Sequence, residues 1–302
     1  MNVFVAGASG AIGRPLIAEL IRQGHTVTGM TRSAAGAQNL AALGAAVADV
    51  DAFDAVAVER ALRQSQAEIV IDELTSLPKD PSQMAAAAAG DRKLRLEGGG
   101  NLHRAARAVG VRRYLQQSTG FFLRAGDGLA DETEGLAIDA SRSVAAAART
   151  YTELEARVLN AAPMEGVALR YGFFYGPGTW YCPEGAVGDQ VRRQEVPIVG
   201  HGEGVWSWIH IDDAAHATVA ALTAPAGIYH IVDDQPSSVS VWLPKFADFV
   251  GAPPPKRVTV EQALQAAGED AVYYGTKLRG ASNEKAKSAF GFRPRPLEWL
   301  AD

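Results

Sequence analysis

The 302 residues include a single cysteine, Cys182. One thiol excludes an internal disulfide framework and any cysteine-rich metal site, and it suits a reducing compartment. No apolar run approaches the roughly 20 residues that cross a bilayer. The first apolar strand starts at residue 2, which leaves no room for a signal peptide. Basic blocks are also missing: the net charge is −5 and the charges are dispersed, so nucleic acid is not an expected partner. The expectation is a soluble, cytoplasmic monomer or homodimer whose partner is a small molecule. With 47% hydrophobic and 21% charged residues, the composition is that of a globular protein. The length allows one large domain or one domain with an appended lobe.

What is present is alternation. The runs "NVFVAG", "HTVTGMTR", "AAVADV", "EIVIDEL" and "RRYLQQST" read as strands. Between them "AIGRPLIAELIRQG", "AQNLAALG", "AVAVERALRQS" and "LEGGGNLHRAARAVG" read as helices. Strands joined by helices of this length imply a parallel sheet covered on both faces, so the fold class is α/β, a doubly wound Rossmann sheet. After residue 170 the alternation loosens. "AGIYHIVDD" reads as a further strand, "SVSVWLPKFADFVG" as a helix opened by a serine cap, "GAPPPKRV" as a stiff connector and "SNEKAKSAFG" as a closing helix. This assigns residues 1–170 to a dinucleotide-binding domain, to which 205–232 return. Residues 171–204 and 233–302 form a smaller substrate lobe over the carboxyl ends of the strands.

In "VFVAGASGAIGR" the glycines Gly7, Gly10 and Gly13 lie between the first strand and the first helix. Glycines there permit a tight turn and let Ser9, Ala11 and Ile12 bring their backbone to a pyrophosphate at a helix N-terminus. The second strand ends in Thr31-Arg32-Ser33, without the carboxylate that would bind the ribose hydroxyl of NAD. An arginine accommodates a 2′-phosphate, so NADP(H) is expected, with NAD(H) as the alternative.

At this point the chain resembles the extended short-chain dehydrogenase/reductase superfamily, the NAD-dependent epimerase/dehydratase-like proteins. "DVDAFD" is similar to the segment that contacts adenine, which would be the role of Asp51 and Ala52. "YLQQSTGFFL" resembles the strand ending in the catalytic hydroxyl, here Thr119 after Ser118. "ALRYGFFYGPGT" and "WSWIHIDDAAHA" resemble two later family segments. The resemblance implies a coenzyme set that also takes in Leu74, Thr75, Ser118, Tyr151, Gly172, Phe173 and Phe174.

The family's proton-donating Tyr-x-x-x-Lys pair is absent from "SRSVAAAARTYTELEARVL". Anchoring on Glu155 puts Tyr151 at the lysine position and Ala147 at the tyrosine position. The other register makes Tyr151 the acid and Glu155 the substitute for lysine, but a glutamate there would oppose the phenolate. The first register is preferred, and in both the pair is lost. The resemblance is therefore to the atypical members of the superfamily. Reduction of an iminium, a quinone-like system or an enone, or a step that needs no proton, survives this loss.

Aromatic residues crowd the segments assigned to the substrate: Phe121, Phe122, Trp180, Tyr181 and Trp206, with Trp208 and Tyr175 read as core. A flat, largely apolar ligand fits such walls. Ser118, Thr119, Tyr151, Tyr181, Cys182 and Asp131-Glu132 are the candidate polar groups. Among them Ser118, Thr119 and Tyr151 are the catalytic candidates, and Cys182 is read as an inert thiol. His210, Asp212, Asp213 and His216 resemble a metal cluster only superficially. Asp212 reads as a helix cap, and no metal is expected. The expectation is an NADP(H)-dependent oxidoreductase acting on a small apolar or aromatic carbonyl-, enone- or imine-type compound, a chemistry at home in secondary metabolism. The alternatives are a redox-neutral isomerase, dehydratase or cyclase, and a non-enzymatic NADP(H) sensor.

Overall fold

The runs fold as they alternate. In the computed structural model, which describes residues 1–301, β1 (Asn2–Ala6), α1 (Gly13–Arg22), β2 (Thr26–Thr31), α2 (Ala34–Ala42), β3 (Ala46–Asp49), α3 (Ala55–Ser65) and β4 (Ile69–Asp72) follow in turn. Then come α4 (Met84–Lys93) and α5 (Gly99–Val109), spliced by a π turn at Leu94–Gly98. β5 (Arg113–Thr119), α6 (Arg142–Leu159) and β6 (Glu165–Tyr171) complete the first half.

The second half has short pieces, β7 (Phe173–Tyr175), α7 (Ala186–Arg192), β8 (Ile198–Val199), β9 (Val205–Trp206) and β10 (Trp208–His210). These precede α8 (Ile211–Ala220), β11 (Gly227–Ile231), β12 (Ser237–Ser238), α9 (Val239–Phe249), β13 (Arg257–Val258), α10 (Val260–Thr276) and α11 (Glu284–Phe290).

Seven parallel strands form the sheet in the order β11-β6-β5-β4-β1-β2-β3. The two-residue period of a strand sends neighbouring side chains to opposite faces. Val3 and Val5 enter the core under α1 and α8, while Phe4 and Ala6 enter the core under α3 and α5. A third core, with Trp208, Trp242, Leu243 and Phe246 fully buried, joins the second-half pieces to the segment after β5 and to the first turns of α6. The chain leaves β1 towards β2 on one side and resumes with β4 on the other. That reversal opens a crevice at the carboxyl ends of β1 and β4, where ligands of such sheets bind.

Four details differ from the sequence reading. The helix before β5 does not begin at the leucine and glycine run but continues back through the π turn to Met84, taking in the alanine tract at 85–89, which itself reads as helical. α10 has no counterpart in that reading, since Gly268 (φ +80°) breaks its backbone and its periodicity. Ser238 stands at the N-terminus of α9, but its hydroxyl pairs with Ser240 Oγ (2.9 Å) and caps no backbone N–H. The cap of α8 is His210, not Asp212: the His210 ring nitrogen Nδ1 accepts from the Asp212 backbone N–H at 3.2 Å.

Candidate functional site

Gly7 (φ +77°) turns the chain out of β1, and a Cβ there would fall on the Glu73 carbonyl. At Gly13 a Cβ would fall on the carbonyls of Gly7 and Ala8, so these two glycines are needed by the fold itself. Gly10 differs. A Cβ there meets only the Gly7 carbonyl, at 3.1 Å, and Gly10 and Ala11 are exposed at the mouth of α1 while Ile12 is buried. The loop thus offers open backbone at a helix N-terminus and fits a pyrophosphate.

At the end of β2 the Thr31 hydroxyl lies 3.2 Å from Ser9 Oγ. Ser33 Oγ caps α2 through Gly36 N (3.0 Å). Arg32 is exposed, with Nη1 3.5 Å from Asp51 Oδ2, and Ala52 is buried beside them. Beyond β4, Leu74 is buried and Thr75 half-buried. Glu73, between β4 and these two, is fully buried. Burial pushes its carboxyl up to about 8 against the opposing hydrogen bond from the Tyr171 hydroxyl (3.0 Å). Among the described residues its Oε2 has no partner.

β5 carries the candidate hydroxyls. Ser118 donates to Glu155 Oε1 (2.6 Å), and Arg170 grips the same carboxylate through Nε (2.7 Å) and Nη2 (2.8 Å). All three side chains are buried, so the Ser118 proton is engaged in a structural network. Arg170 Nη1 also reaches the Glu134 carbonyl (3.0 Å) and His230 Nε2 (3.3 Å). Burial and that guanidinium push the His230 imidazole down to about 3, so it is neutral. Thr119 is 1% exposed and, among the described residues, only accepts a long bond from Phe121 N (3.4 Å), which leaves its own proton uncommitted.

One turn before Glu155, Tyr151 is half-buried. Burial raises its phenol, opposed by the Arg95 guanidinium, whose carbon sits 5.0 Å from the ring centroid. Ala147 packs, half-buried, against the lobe core.

Phe121, Phe173 and Trp206 stack, each adjacent pair 4.1 Å between centroids. Phe122 is buried behind Phe121, 4.7 Å away and edge-on. Tyr181 meets Phe173 and Trp208 edge-on. Trp180 packs half-buried on the same core, whereas Gly172 and Phe174 continue from β6 onto the sheet side. Trp208 and Tyr175 are core. Sequence reasoning missed Tyr274, on α10. Its ring lies 5.8 Å from Trp206 and 6.1 Å from Phe122. The hydroxyls of Tyr151, Tyr181 and Tyr274 take no hydrogen bond among the described residues. Burial raises all three phenols.

Other candidates fall outside this group. Asp131 accepts from Thr133 (backbone N–H at 2.9 Å), and Glu132 Oε1 accepts from His230 N at 2.8 Å. Cys182 is buried and donates to the Thr179 carbonyl. Between His210, Asp212 and Asp213 lies the Arg295 guanidinium, 2.9 Å from Asp213 Oδ1, so a cation of the chain itself fills that acidic corner.

Residues 3–233 match one family model, described as the NAD dependent epimerase/dehydratase family. The chain belongs to that family. It is 38% identical over 305 residues, 99% of this chain and 98% of the relative, to a 3-diazoavenalumate denitrifying reductase from a Streptomyces species. It is 31% identical over 270 residues, 86% and 80% of the two chains, to a dTDP-4-dehydrorhamnose reductase from Streptomyces griseus. Its fold is similar to that of the UDP-glucose 4-epimerase of Thermus thermophilus solved with NAD (TM-score 0.76, 23% identity, 99% and 96% covered). It is also similar to a dTDP-glucose 4,6-dehydratase from Streptomyces venezuelae solved with NAD (TM-score 0.75, 19% identity, 98% and 92% covered). Family membership and two reductase relatives support an enzyme of oxidoreductase type that uses a nicotinamide dinucleotide.

Proposed function

We propose that the protein is an NADPH-dependent reductase that removes nitrogen, as dinitrogen, from a flat aromatic diazonium compound and leaves hydrogen in its place. The observation that carries this reading is the inner side of α6. Glu155 is committed to Arg170 and Ser118, which supports Tyr151 in the lysine position and Ala147 in the tyrosine position. No tyrosine–lysine pair then stands ready to protonate a ketone oxygen. Ketone reduction leaves an alkoxide that must take a proton, and a positioned acid typically contributes about 100- to 10,000-fold to that step. Denitrifying reduction makes no such demand. At a diazonium carbon a C–H bond forms as the C–N bond breaks, and dinitrogen departs with the bonding pair. The charges balance without a proton. A relative 38% identical is a denitrifying reductase of a diazo compound.

When bound, the reduced coenzyme supplies a hydride. The loop from Gly7 to Gly13, with Ser9, Gly10, Ala11 and Ile12, would hold the pyrophosphate. Thr31, Arg32 and Ser33 would take the 2′-phosphate, and Asp51 and Ala52 the adenine end. Leu74, Thr75, Tyr151, Gly172, Phe173 and Phe174 would border the nicotinamide half. Thr119 and Tyr151 orient the substrate by hydrogen bonds. Phe121, Phe122, Trp180, Tyr181, Trp206 and Tyr274 cover its ring and exclude water, which would otherwise capture a diazo carbon as an alcohol.

The test uses an aryldiazonium salt labelled with nitrogen-15 and coenzyme deuterated at the transferable position. Labelled dinitrogen and a deuterated arene are expected. Reduction of a sugar-nucleotide ketone, with no dinitrogen above the protein-free rate, would overturn the reading.

A further inference from the structure

Arg95 stands on the π turn between α4 and α5 and is only 4% exposed. π turns recur at functional sites because the extra residue re-aims a side chain out of the helical ladder. Nε donates to Asp91 Oδ2 (2.7 Å) and Nη1 to Gln117 Oε1 (3.2 Å). Asp91 is itself held from behind by the Ser76 backbone N–H (2.6 Å). The pair is therefore a fixed dipole whose positive end lies against the face of Tyr151, 5.0 Å from its centroid. Nη2 has no hydrogen-bond partner among the described residues. Nη2 is not sealed off from solvent, so its donors are open to a ligand without displacing a partner.

The location fits a ligand. Gln117 is two residues before the end of β5, beside the crevice at the carboxyl ends of β1 and β4. The other buried guanidiniums are engaged elsewhere. Glu155 takes Arg170, and Arg113 pairs with Glu165 at the opposite end of the sheet.

We infer that Arg95 is the fixed positive charge of the coenzyme pocket, acting across the Tyr151 ring and through its open Nη2. It makes the pocket favour the reduced coenzyme, whose nicotinamide ring is neutral, over the oxidised form, whose ring is cationic. Arg95 is a positioning residue and supplies from α4–α5 a charge that α6 lacks. The inference rests on the reading that this crevice takes a nicotinamide dinucleotide.

The test is binding alone, with no substrate. Dissociation constants of NADPH, NADP⁺, NADH and NAD⁺ are measured by fluorescence and calorimetry for the wild type and for Arg95→Met, Arg95→Gln and Arg95→Lys. The preference for reduced over oxidised coenzyme should shrink about fivefold in the neutral variants and survive in Arg95→Lys, as Coulomb interaction near a protein surface predicts. Two neutral variants guard against one that folds poorly, and both are checked by melting temperature. Equal weakening of both redox forms, with the ratio unchanged, would reduce Arg95 to structural support and overturn the inference. If no coenzyme binds the wild type, the coenzyme reading fails first and takes this inference with it.

Discussion

Glu155 and Arg170 form a buried two-point ion pair, Nε–Oε1 at 2.7 Å and Nη2–Oε2 at 2.8 Å, and it ties α6 to β6. Because the Ser118 hydroxyl completes the carboxylate's partners, Glu155 is turned into the protein and away from any ligand. The helix is held in register by that bond, and the residue presented one turn earlier is Tyr151.

Breaking the pair should cost stability. Glu155→Gln leaves a buried guanidinium without its counter-charge, a loss of about 3–5 kcal/mol, read as a lower denaturation midpoint in urea. Glu155→Lys would confront Arg170 with a second cation and should fail to fold. A soluble Glu155→Lys protein with new ketone reductase activity would mean that Tyr151 and residue 155 form the catalytic pair after all.

The glycines separate fold from binding. Gly7→Ala and Gly13→Ala should lower the melting temperature, since each Cβ falls on backbone carbonyls. Gly10→Val should melt close to the wild type yet abolish coenzyme binding, because its side chain projects where the pyrophosphate would lie. Retained binding by Gly10→Val would remove the loop from the coenzyme site.

Arg32→Ala should weaken NADPH by about 1.5–3 kcal/mol, the range for a charged hydrogen bond, and barely affect NADH. Asp51, 3.5 Å from Arg32, competes for the same guanidinium. Asp51→Asn should therefore strengthen NADPH binding modestly. Equal wild-type affinity for both coenzymes would exclude a phosphate-reading role.

Much of this was legible in the sequence for physical reasons, and what was missed has physical reasons too. The β1 loop shows itself because only glycine fits where Gly7 and Gly13 meet backbone carbonyls, and the strands because buried parallel strands are continuously apolar. Tyr274 was hidden because Gly268 interrupts α10 and blurs its period. A lone arginine in a helix reads as a solvated charge, so nothing local marks Arg95. Its burial depends on a π turn and on Gln117, 22 residues away. His210 displaced Asp212 as the cap of α8 because the helix already starts at Ile211, which puts Asp212 inside its first turn.

Glu73 should make stability depend on pH. Burial raises its carboxyl from 4.5 to about 8. Between those values the native state keeps a proton that the unfolded chain has released. Stability therefore falls as pH rises through that window and levels off above about 8. Glu73→Gln removes this contribution, so its advantage over the wild type should grow from about pH 5 to about pH 8 in calorimetric melts. Parallel curves would mean that the Glu73 carboxylate is ionised in the fold.

Tyr151 and Thr119 carry the kinetic prediction. Each offers a neutral hydroxyl with no committed proton, and one such hydrogen bond is worth about 1 kcal/mol. Tyr151→Phe should therefore slow single-turnover oxidation of NADPH by about tenfold or less, where loss of a general acid would cost about 100- to 10,000-fold. Thr119→Val should cost at least as much, since Thr119 lies at the end of β5 with its proton free. If no proton enters the rate-limiting step, the rate should also stay flat from about pH 6 to about pH 9 in all three proteins. Burial raises the Tyr151 phenol above its ordinary value of 10, so it remains protonated across that range. A loss of about a thousandfold in Tyr151→Phe, or a rate that falls as a single group loses its proton, would restore Tyr151 as the acid and return the chemistry to carbonyl reduction.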